Sequence, residues 1–302
     1  MGETRRGLLL GLAAWVMWGF FPLYWPLLEP AGAAEILAHR VVWSMVLMLG
    51  VVLALRKGAL RATFADRRTR WLLVVASVLI SINWGTYIWG VNNHHVVEAS
   101  LGYFINPLVS VLMGVLILGE RLRRLQWVAL GIAAVAVLAL TVEYGRPPWV
   151  ALILAFSFAS YGLAKKKANA GAVESLVVET LFVSPVAIGY IVYLVVTGAS
   201  TFGSNGGWHV VLMIGTGLVT IIPLLCFGGA ATRIPLSTLG LMQYLTPSVQ
   251  FALGVIVFHE PMPAMRLAGF ALIWVSLALF TFETLRHLRQ QPRVRTVETL
   301  PA

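Results

Sequence analysis

Six polar side chains, set in two otherwise apolar stretches of the chain, could bind a small molecule. In each stretch, three of them follow the i, i+3, i+7 spacing that brings side chains onto one face of a helix. They are Tyr103, Asn106 and Ser110 in the first stretch, and Gln243, Thr246 and Gln250 in the second. Together they would form a neutral, hydrogen-bonding surface for a substrate. The alternative is that they make polar contacts between helices.

Each of the two stretches also carries a proline four residues after its first polar side chain. Pro107 and Pro247 cannot donate a backbone hydrogen bond, so the carbonyls of Tyr103 and Gln243 lose their helical partners. Sharp bends in helices occur most often at such positions. We therefore expect the two prolines to act as hinges.

The few ionisable residues near or within the apolar stretches are candidates for gating, or for coupling to protons. They are Glu35, His39, Arg40, His94 and Glu98. Arg40 has two interpretations: its long side chain reaches the membrane surface, or it stays inside. Inside, it would pair with Glu35 or Glu98 as an outer gate, or bind an anionic group of the substrate. His94 and its neighbour lack the spacing and third ligand of a metal site, so we expect no metal.

Four aromatic side chains lie deep in apolar stretches, where an indole or a phenol needs a hydrogen-bond partner or a ligand to stack on. They are Trp15, Trp18, Trp84 and Tyr87. Trp18-Gly19 corresponds to Tyr161-Gly162 in the internal repeat described below, which would bring one aromatic from each half near the centre. These side chains either line a cavity or fill the core.

The composition is that of a polytopic membrane protein. Of the 302 residues, 59% are hydrophobic and 11% are charged, with a mean hydropathy of +0.85. A soluble protein is about one-quarter charged. The net charge of +10 does not indicate nucleic-acid binding, because lysine and arginine lie in short connections between apolar segments.

Ten apolar segments are long enough, at about 20 residues, to cross a bilayer. They run over residues 7–28, 33–55, 71–91, 97–118, 124–142, 147–166, 174–197, 208–230, 234–258 and 264–284. With the N-terminus in the cytoplasm, all but three of the 22 Lys and Arg residues lie on the cytoplasmic side. The exceptions are Arg146 and Arg266 outside, and Arg40 within a segment. Both termini are therefore expected to be cytoplasmic, in the inner membrane.

The chain contains an internal repeat of about half its length. A shift of 140 residues places Pro107 on Pro247 and Glu120 on Glu260. Five segments per half is an odd number, so the second half enters the membrane upside down. We predict an all-α membrane protein of ten transmembrane helices, with inverted five-helix repeats at 1–143 and 144–285 and a cytoplasmic tail at 286–302. Glu120 and Glu260 would end their helices and contact arginines of neighbouring loops.

Inverted repeats are typical of transporters that expose a central site alternately to each side of the membrane. No phosphate-binding loop, nucleophile elbow or zinc-protease motif is present in the sequence. We therefore predict a secondary transporter of a small molecule, driven by a gradient, with no catalytic residue and no cofactor. The alternatives are a non-transporting sensor or assembly partner, and an intramembrane enzyme, for which no nucleophile–base pair has helical spacing. Oligomeric state is left open.

One long motif resembles the signature of a known family. INWGTYIWGVNNHHVVEASLGYFINPL, followed by GERLRRLQWVA, is similar to RarD-type proteins, in the EamA group of the drug/metabolite transporter superfamily. AHRVVWS and SFASYGLAKK resemble further segments of that group. The resemblance implies a ten-helix inner-membrane permease that exports small amphipathic metabolites or drugs, chloramphenicol-type or amino-acid-like. It also adds Asn83 to the candidate binding residues.

Overall fold

The regular structure is helical throughout the part of the chain that the computed structural model describes. That part comprises residues 2–55, 65–92, 96–144, 148–257 and 264–290. The α-helices are α1 (Glu3–Gly19), α2 (Ala33–Leu55), α3 (Arg67–Asn92), α4 (Val96–Leu118), α5 (Arg124–Tyr144), α6 (Trp149–Ala168), α7 (Ala172–Val196), α8 (Gly206–Ala231), α9 (Leu236–Met242), α10 (Leu245–Ile256) and α11 (Ala264–Gln290).

Among the described helices, five are long and apolar enough to cross a membrane. They are α2, α3, α7, α8 and the stretch Glu3–Leu23, which is α1 with the turn after it. Shorter apolar stretches lie in α4, α5 and α11. Large apolar side chains cover the outside of the bundle; Val142 is 78% exposed and Val196 is 80% exposed. Such a surface is stable against lipid but not in water, which makes this a multi-pass membrane protein.

The helices pack in a pattern that brings the first and second halves of the chain together. α1 contacts α8 and α10; α2 contacts α7 and α8; and α3 contacts α6 and α7. α4 contacts α6 and α9, and α5 packs against α11. The centre of the resulting core is aromatic, with Trp15, Tyr161 and Phe227 almost fully buried. Each of these three comes from a different helix, so the core joins α1, α6 and α8.

The first predicted segment, 7–28, is not one helix. α1 ends at Gly19, and the chain continues as two short 3-10 turns, Phe21–Leu23 and Trp25–Leu28. Pro22 and Pro26 explain this, because each lacks an N–H donor and disfavours the α conformation of the residue before it. The turns carry Trp25 back toward α2.

The ninth predicted segment, 234–258, is also interrupted, but not at its proline. α9 ends at Met242 and α10 begins at Leu245, so the break lies at Gln243-Tyr244. Pro247 cannot donate to the carbonyl of Gln243, one turn earlier. The N–H of Thr246 donates to that carbonyl instead, at 3.0 Å. The bend therefore precedes Pro247, which lies in the first turn of α10, whereas Pro107 lies inside the continuous helix α4.

Glu120 connects the end of α4 to the start of α9. Its carboxylate accepts hydrogen bonds from the N–H groups of Leu236 and Ser237, at 2.7 and 2.8 Å, and from the Ser237 hydroxyl at 2.7 Å. Lys166 lies 3.9 Å from the same carboxylate and donates to the carbonyl of Ile234 at 2.6 Å. Among the described residues, Glu120 therefore contacts backbone amides, a hydroxyl and a lysine, and none of the predicted loop arginines. A carboxylate at the N-terminus of a helix satisfies N–H groups that have no partner within the helix. Glu260 lies outside the described residues.

We predict that Glu120→Ala destabilises the protein by about 2 kcal/mol, because two backbone donors and one hydroxyl lose a charged acceptor. The matched control is Glu29→Ala. Glu29 is exposed, and its side chain makes no hydrogen bond to any described residue. Thermal unfolding of both purified variants in detergent measures the effect. Equal melting temperatures for the two variants would show that the cap is unimportant.

Candidate functional site

The guanidinium group of Arg40, on α2, contacts two aromatic rings and a hydroxyl group of neighbouring elements. The guanidinium carbon lies 4.9 Å from the ring centroid of Trp25 and 4.7 Å from that of Trp84. Its Nε donates to the hydroxyl of Thr220, on α8, at 3.0 Å. A guanidinium over an indole face gains about 2 kcal/mol when it is removed from water. The side chain thus sits inside the helix packing, fixed by three elements.

Two phenols complete the surroundings of Arg40. The rings of Tyr87, on α3, and Tyr103, on α4, are 6.0 Å apart. Both lie close enough to the guanidinium to interact with it electrostatically. Three of the predicted binding residues, Trp84, Tyr87 and Tyr103, are therefore brought together around the predicted gating residue Arg40. We call Arg40 with Trp25, Trp84 and Thr220 the arginine cage.

Glu35 does not pair with Arg40, contrary to one of the two predicted interactions. Its carboxylate accepts hydrogen bonds from the hydroxyl of Ser200 at 3.0 Å, and from the N–H and hydroxyl of Thr201 at 2.8 and 2.9 Å. The carboxylate of Glu35 is thus occupied by an amide and two hydroxyls of the segment after α7, and not by the guanidinium of Arg40. Glu35 therefore fastens the start of α2 to the connection between α7 and α8.

His39, one turn after Glu35, packs beside the same connection. Its ring stacks on Phe202 at 4.7 Å, and its Nδ1 accepts a hydrogen bond from the indole of Trp43 at 3.1 Å. Its Nε2 is buried and has no partner among the described residues. His94 lies outside the described residues, and so does the side chain of Glu98.

A second buried ionic group lies between α6 and α7. The ammonium of Lys165 is 2.7 Å from one carboxylate oxygen of Glu179, and the Tyr161 hydroxyl donates to the other at 3.1 Å. All three residues are almost fully buried. Breaking such a pair leaves an uncompensated charge and costs several kcal/mol, about 3 to 5. We call Tyr161, Lys165 and Glu179 the glutamate triad.

A narrow cavity connects the arginine cage with the glutamate triad. Trp84 and Thr220 line it from the cage, and Tyr161 and Glu179 line it from the triad. The rest of its wall is mainly apolar. The other lining residues are Val41, Ser44, Ile80, Ser81, Leu176, Thr180, Val183 and Leu224. An apolar wall with a few convergent polar groups is typical of a small-molecule site.

The predicted polar faces of the two proline-containing stretches do not line this cavity. The Ser110 hydroxyl donates to the side chain of Asn106 at 3.2 Å, and the Thr246 hydroxyl donates to the carbonyl of Trp15 at 2.8 Å. Gln243 is also buried away from the cavity. The bond of Thr246 joins α10 to α1 and fits the alternative, in which polar side chains connect helices, whereas the bond of Ser110 lies within α4.

Two further candidates also have structural partners. The amide of Asn83 donates to the carbonyl of Leu154 at 2.9 Å and to the Ser157 hydroxyl at 3.0 Å, which joins α3 to α6. Trp18 lies in the aromatic core, 5.8 Å from Phe227, which stacks on Tyr161 at 5.7 Å. Of the predicted binding residues, Trp84 and Tyr161 are the two that line the cavity.

Sequence reasoning missed Lys165 as a buried residue, because it begins a run of three lysines that indicates a cytoplasmic loop. Lys165 is 4% exposed, and only Lys167 of the run is exposed. The spacing could have indicated its burial, because Lys165 follows Tyr161 by four residues and therefore lies on the same helix face. Aligning AAEILAHR (33–40) with AVESLVVE (172–179) similarly places Arg40 opposite Glu179 in corresponding positions of α2 and α7.

We predict that Lys165→Met destabilises the protein by about 3 kcal/mol or more, because the Glu179 carboxylate stays buried without its cation. Adding Glu179→Gln should restore most of the lost stability, since the remaining polar group is neutral. Lys167→Met is the control and should have no effect. Melting temperature and monodisperse yield in detergent report all three. A double variant no more stable than Lys165→Met would contradict the role given to the ion pair.

Residues 5–142 match the model of the EamA-like transporter family. The chain is 57% identical to Protein RarD of Streptomyces exfoliatus over 289 residues, which cover 95% of this chain and 92% of that protein. It is 43% identical to the uncharacterized transporter YojE of Bacillus subtilis, over 95% of this chain and 97% of the relative.

One solved structure, titled "Crystal structure of protein", has the same fold, with a TM-score of 0.72 at 16% identity. It aligns with 93% of this chain and all of that one. The 57% identity to Protein RarD covers nearly the full length of both chains, and the family model matches the first half of this chain. The chain belongs to the EamA-like transporter family, as a RarD-type permease.

Proposed function

We propose that this chain is a secondary transporter that moves a small molecule through the cavity between the arginine cage and the glutamate triad. The main support for this proposal is that helices from both halves of the chain line the cavity: α2 and α3 from the first half, and α6, α7 and α8 from the second. A site shared between two halves can open to either side when one half moves against the other. The proposal gives the chain no catalytic role.

The helix contacts support the proposed repeats at 1–143 and 144–285. If α1 to α5 correspond to α6, α7, α8, α9 with α10, and α11, most of the helix contacts have a counterpart, although the contact of α7 with α8 has none of similar extent between α2 and α3. α1 with α8 corresponds to α6 with α3, and α2 with α8 corresponds to α7 with α3. The family model also matches residues 5–142, close to the proposed first repeat. Ten spans in two inverted repeats remain part of this proposal.

Two carboxylates offer a physical basis for alternating access. Glu120 joins α4 to α9, and Glu35 joins α2 to the connection between α7 and α8. In the proposed topology these contacts lie at opposite membrane faces, Glu120 inside and Glu35 outside. Release of one contact while the other persists would open the cavity to one side only. Pro107 and the break before Pro247 would absorb the bending.

The proposed substrates are small amphipathic metabolites or drugs, chloramphenicol-type or amino-acid-like, moved outward by a gradient that includes protons. The cavity wall is mainly apolar, with hydroxyl, phenol and carboxylate groups at a few points, which suits such molecules. The proposed site is the inner membrane, with both termini in the cytoplasm, where most of the Lys and Arg residues would then lie.

The test is transport in proteoliposomes, with labelled amino acids and chloramphenicol screened with and without a proton gradient. For a compound that is moved, we predict that Tyr161→Phe lowers the rate about fivefold, since loss of one hydrogen bond costs about 1 kcal/mol. Tyr244→Phe is the matched control. Tyr244 is equally buried and its hydroxyl donates to Phe104, but it does not line the cavity.

Three outcomes would contradict the proposal. Movement of no compound by the reconstituted protein argues against transport. Equal loss in the two tyrosine variants argues against this cavity as the route. Transport of the same rate with and without a gradient argues for a facilitator in place of a coupled transporter.

The proposed orientation makes a separate prediction. A green fluorescent protein fused after residue 290 should fluoresce, and alkaline phosphatase at the same point should be inactive, because the tail is cytoplasmic. The control is fusion after Asn205, between α7 and α8, where the phosphatase should be active and the fluorescence absent. Phosphatase activity after residue 290 would reverse the topology.

A further inference from the structure

Arg40 has the geometry of a ligand-binding arginine more than that of a structural one. Its guanidinium carbon lies over the rings of Trp25 and Trp84, and its Nε donates to Thr220. Its two terminal NH2 groups make no hydrogen bond to any residue that the structure describes. Those groups form the fork that pairs with both oxygens of a carboxylate. The cage thus fixes the orientation of the guanidinium and leaves its binding edge open.

The charge of Arg40 also has no carboxylate partner among the described side chains, in contrast to the charges of Lys165 and Glu179. Lys165 has Glu179 as its partner, and Glu35 is satisfied by Ser200 and Thr201. Among the described side chains, no carboxylate lies at ion-pair distance from Arg40. Ionisable residues within membrane spans are costly and mark the path of a substrate or an ion.

We infer that Arg40 binds the carboxylate of the substrate, and that the substrates are small organic acids with an apolar body. Arg40 itself does not line the cavity, but Trp84 and Thr220 both contact the guanidinium and line the cavity, so its charge lies directly behind the cavity wall. The wall beyond them includes Val41, Ile80 and Leu224, which suit an apolar body. This inference rests on the proposed transport function and narrows it to carboxylates.

The same geometry makes an amino group on the substrate unnecessary. Glu179 is the carboxylate that lines the cavity, and its two oxygens are already engaged by Lys165 and Tyr161. Lys165 already neutralises its charge, so an ammonium group on the substrate would gain little from it. Acids that lack an amine are therefore expected to bind as well as amino acids of similar size.

The experiment is isothermal titration of the purified full-length protein in detergent at pH 7. The probes are phenylacetate, indole-3-acetate and hexanoate, each paired with its neutral amide of nearly identical shape. We expect the acids to bind and the amides to bind about tenfold more weakly or worse, because they lack the charge that pairs with the guanidinium. Arg40→Gln should remove the difference between acid and amide. Arg40→Lys should weaken acid binding by keeping the charge without the fork.

Arg233→Gln is the matched control. Arg233 pairs with Glu3 away from the cavity, and its replacement should leave the affinity for the acids unchanged. Equal affinity of the wild type for acid and amide, or binding of none of the three acids, would overturn the inference whether or not the Arg40 variants fold. Wild-type affinity for the acids in Arg40→Gln would overturn it too.

The experiments distinguish failure of the proposed transport function from failure of the carboxylate site. If the protein binds acids through Arg40 but moves none of them across a membrane, the binding site is supported and the transport function is contradicted. A protein that transports only neutral or cationic compounds retains the transporter role and contradicts the carboxylate site.

Discussion

The cost of holding charge inside an apolar helix bundle is the constraint on which the rest of this structure depends. Burial of an ion costs roughly several kcal/mol of lost hydration free energy, which interactions with partner groups in the protein must offset. The protein does this in three ways. Lys165 and Glu179 pair with each other, Glu120 binds the N–H groups at the start of α9, and Arg40 lies against indole rings. Each solution requires particular helices to be neighbours.

Those requirements explain why the cavity lies where it does. The glutamate triad joins α6 to α7, the arginine cage joins α2 to α3 and α8, and the space between them is bounded by the same helices. α4 and α9, by contrast, approach too closely to leave room. A Cβ added to Gly240 would lie 2.6 Å from the Cβ of Ser110, so this contact needs glycine. Polar side chains on these helices are used for packing, and the cavity forms on the other side of the core.

The sequence alone predicts the membrane class, the family and most of the helices, because apolar length and a long specific motif are strong signals. For Trp84 and Tyr161 it leaves two interpretations open, cavity lining and core packing, and both residues line the cavity. It cannot separate a polar face that lines a cavity from one that connects helices, since both have i, i+3, i+7 spacing. For this reason it could not foresee that Gln243 and Thr246 lie away from this cavity. Lys165 was hidden by the two lysines after it, which look like a loop.

Corresponding positions on α2 and α7 hold Arg40 and Glu179, and their surroundings make the two charges unequal. Glu179 is neutralised by Lys165 within the protein, whereas the described side chains offer Arg40 no carboxylate. Among the described side chains, the charge is therefore balanced on the α7 side of the cavity and lacks a carboxylate partner on the α2 side. In the proposed mechanism the halves exchange conformations, and a substrate held by one fixed charge would keep its orientation while they do so. Similar halves would supply the motion, and the one open guanidinium would supply the selectivity.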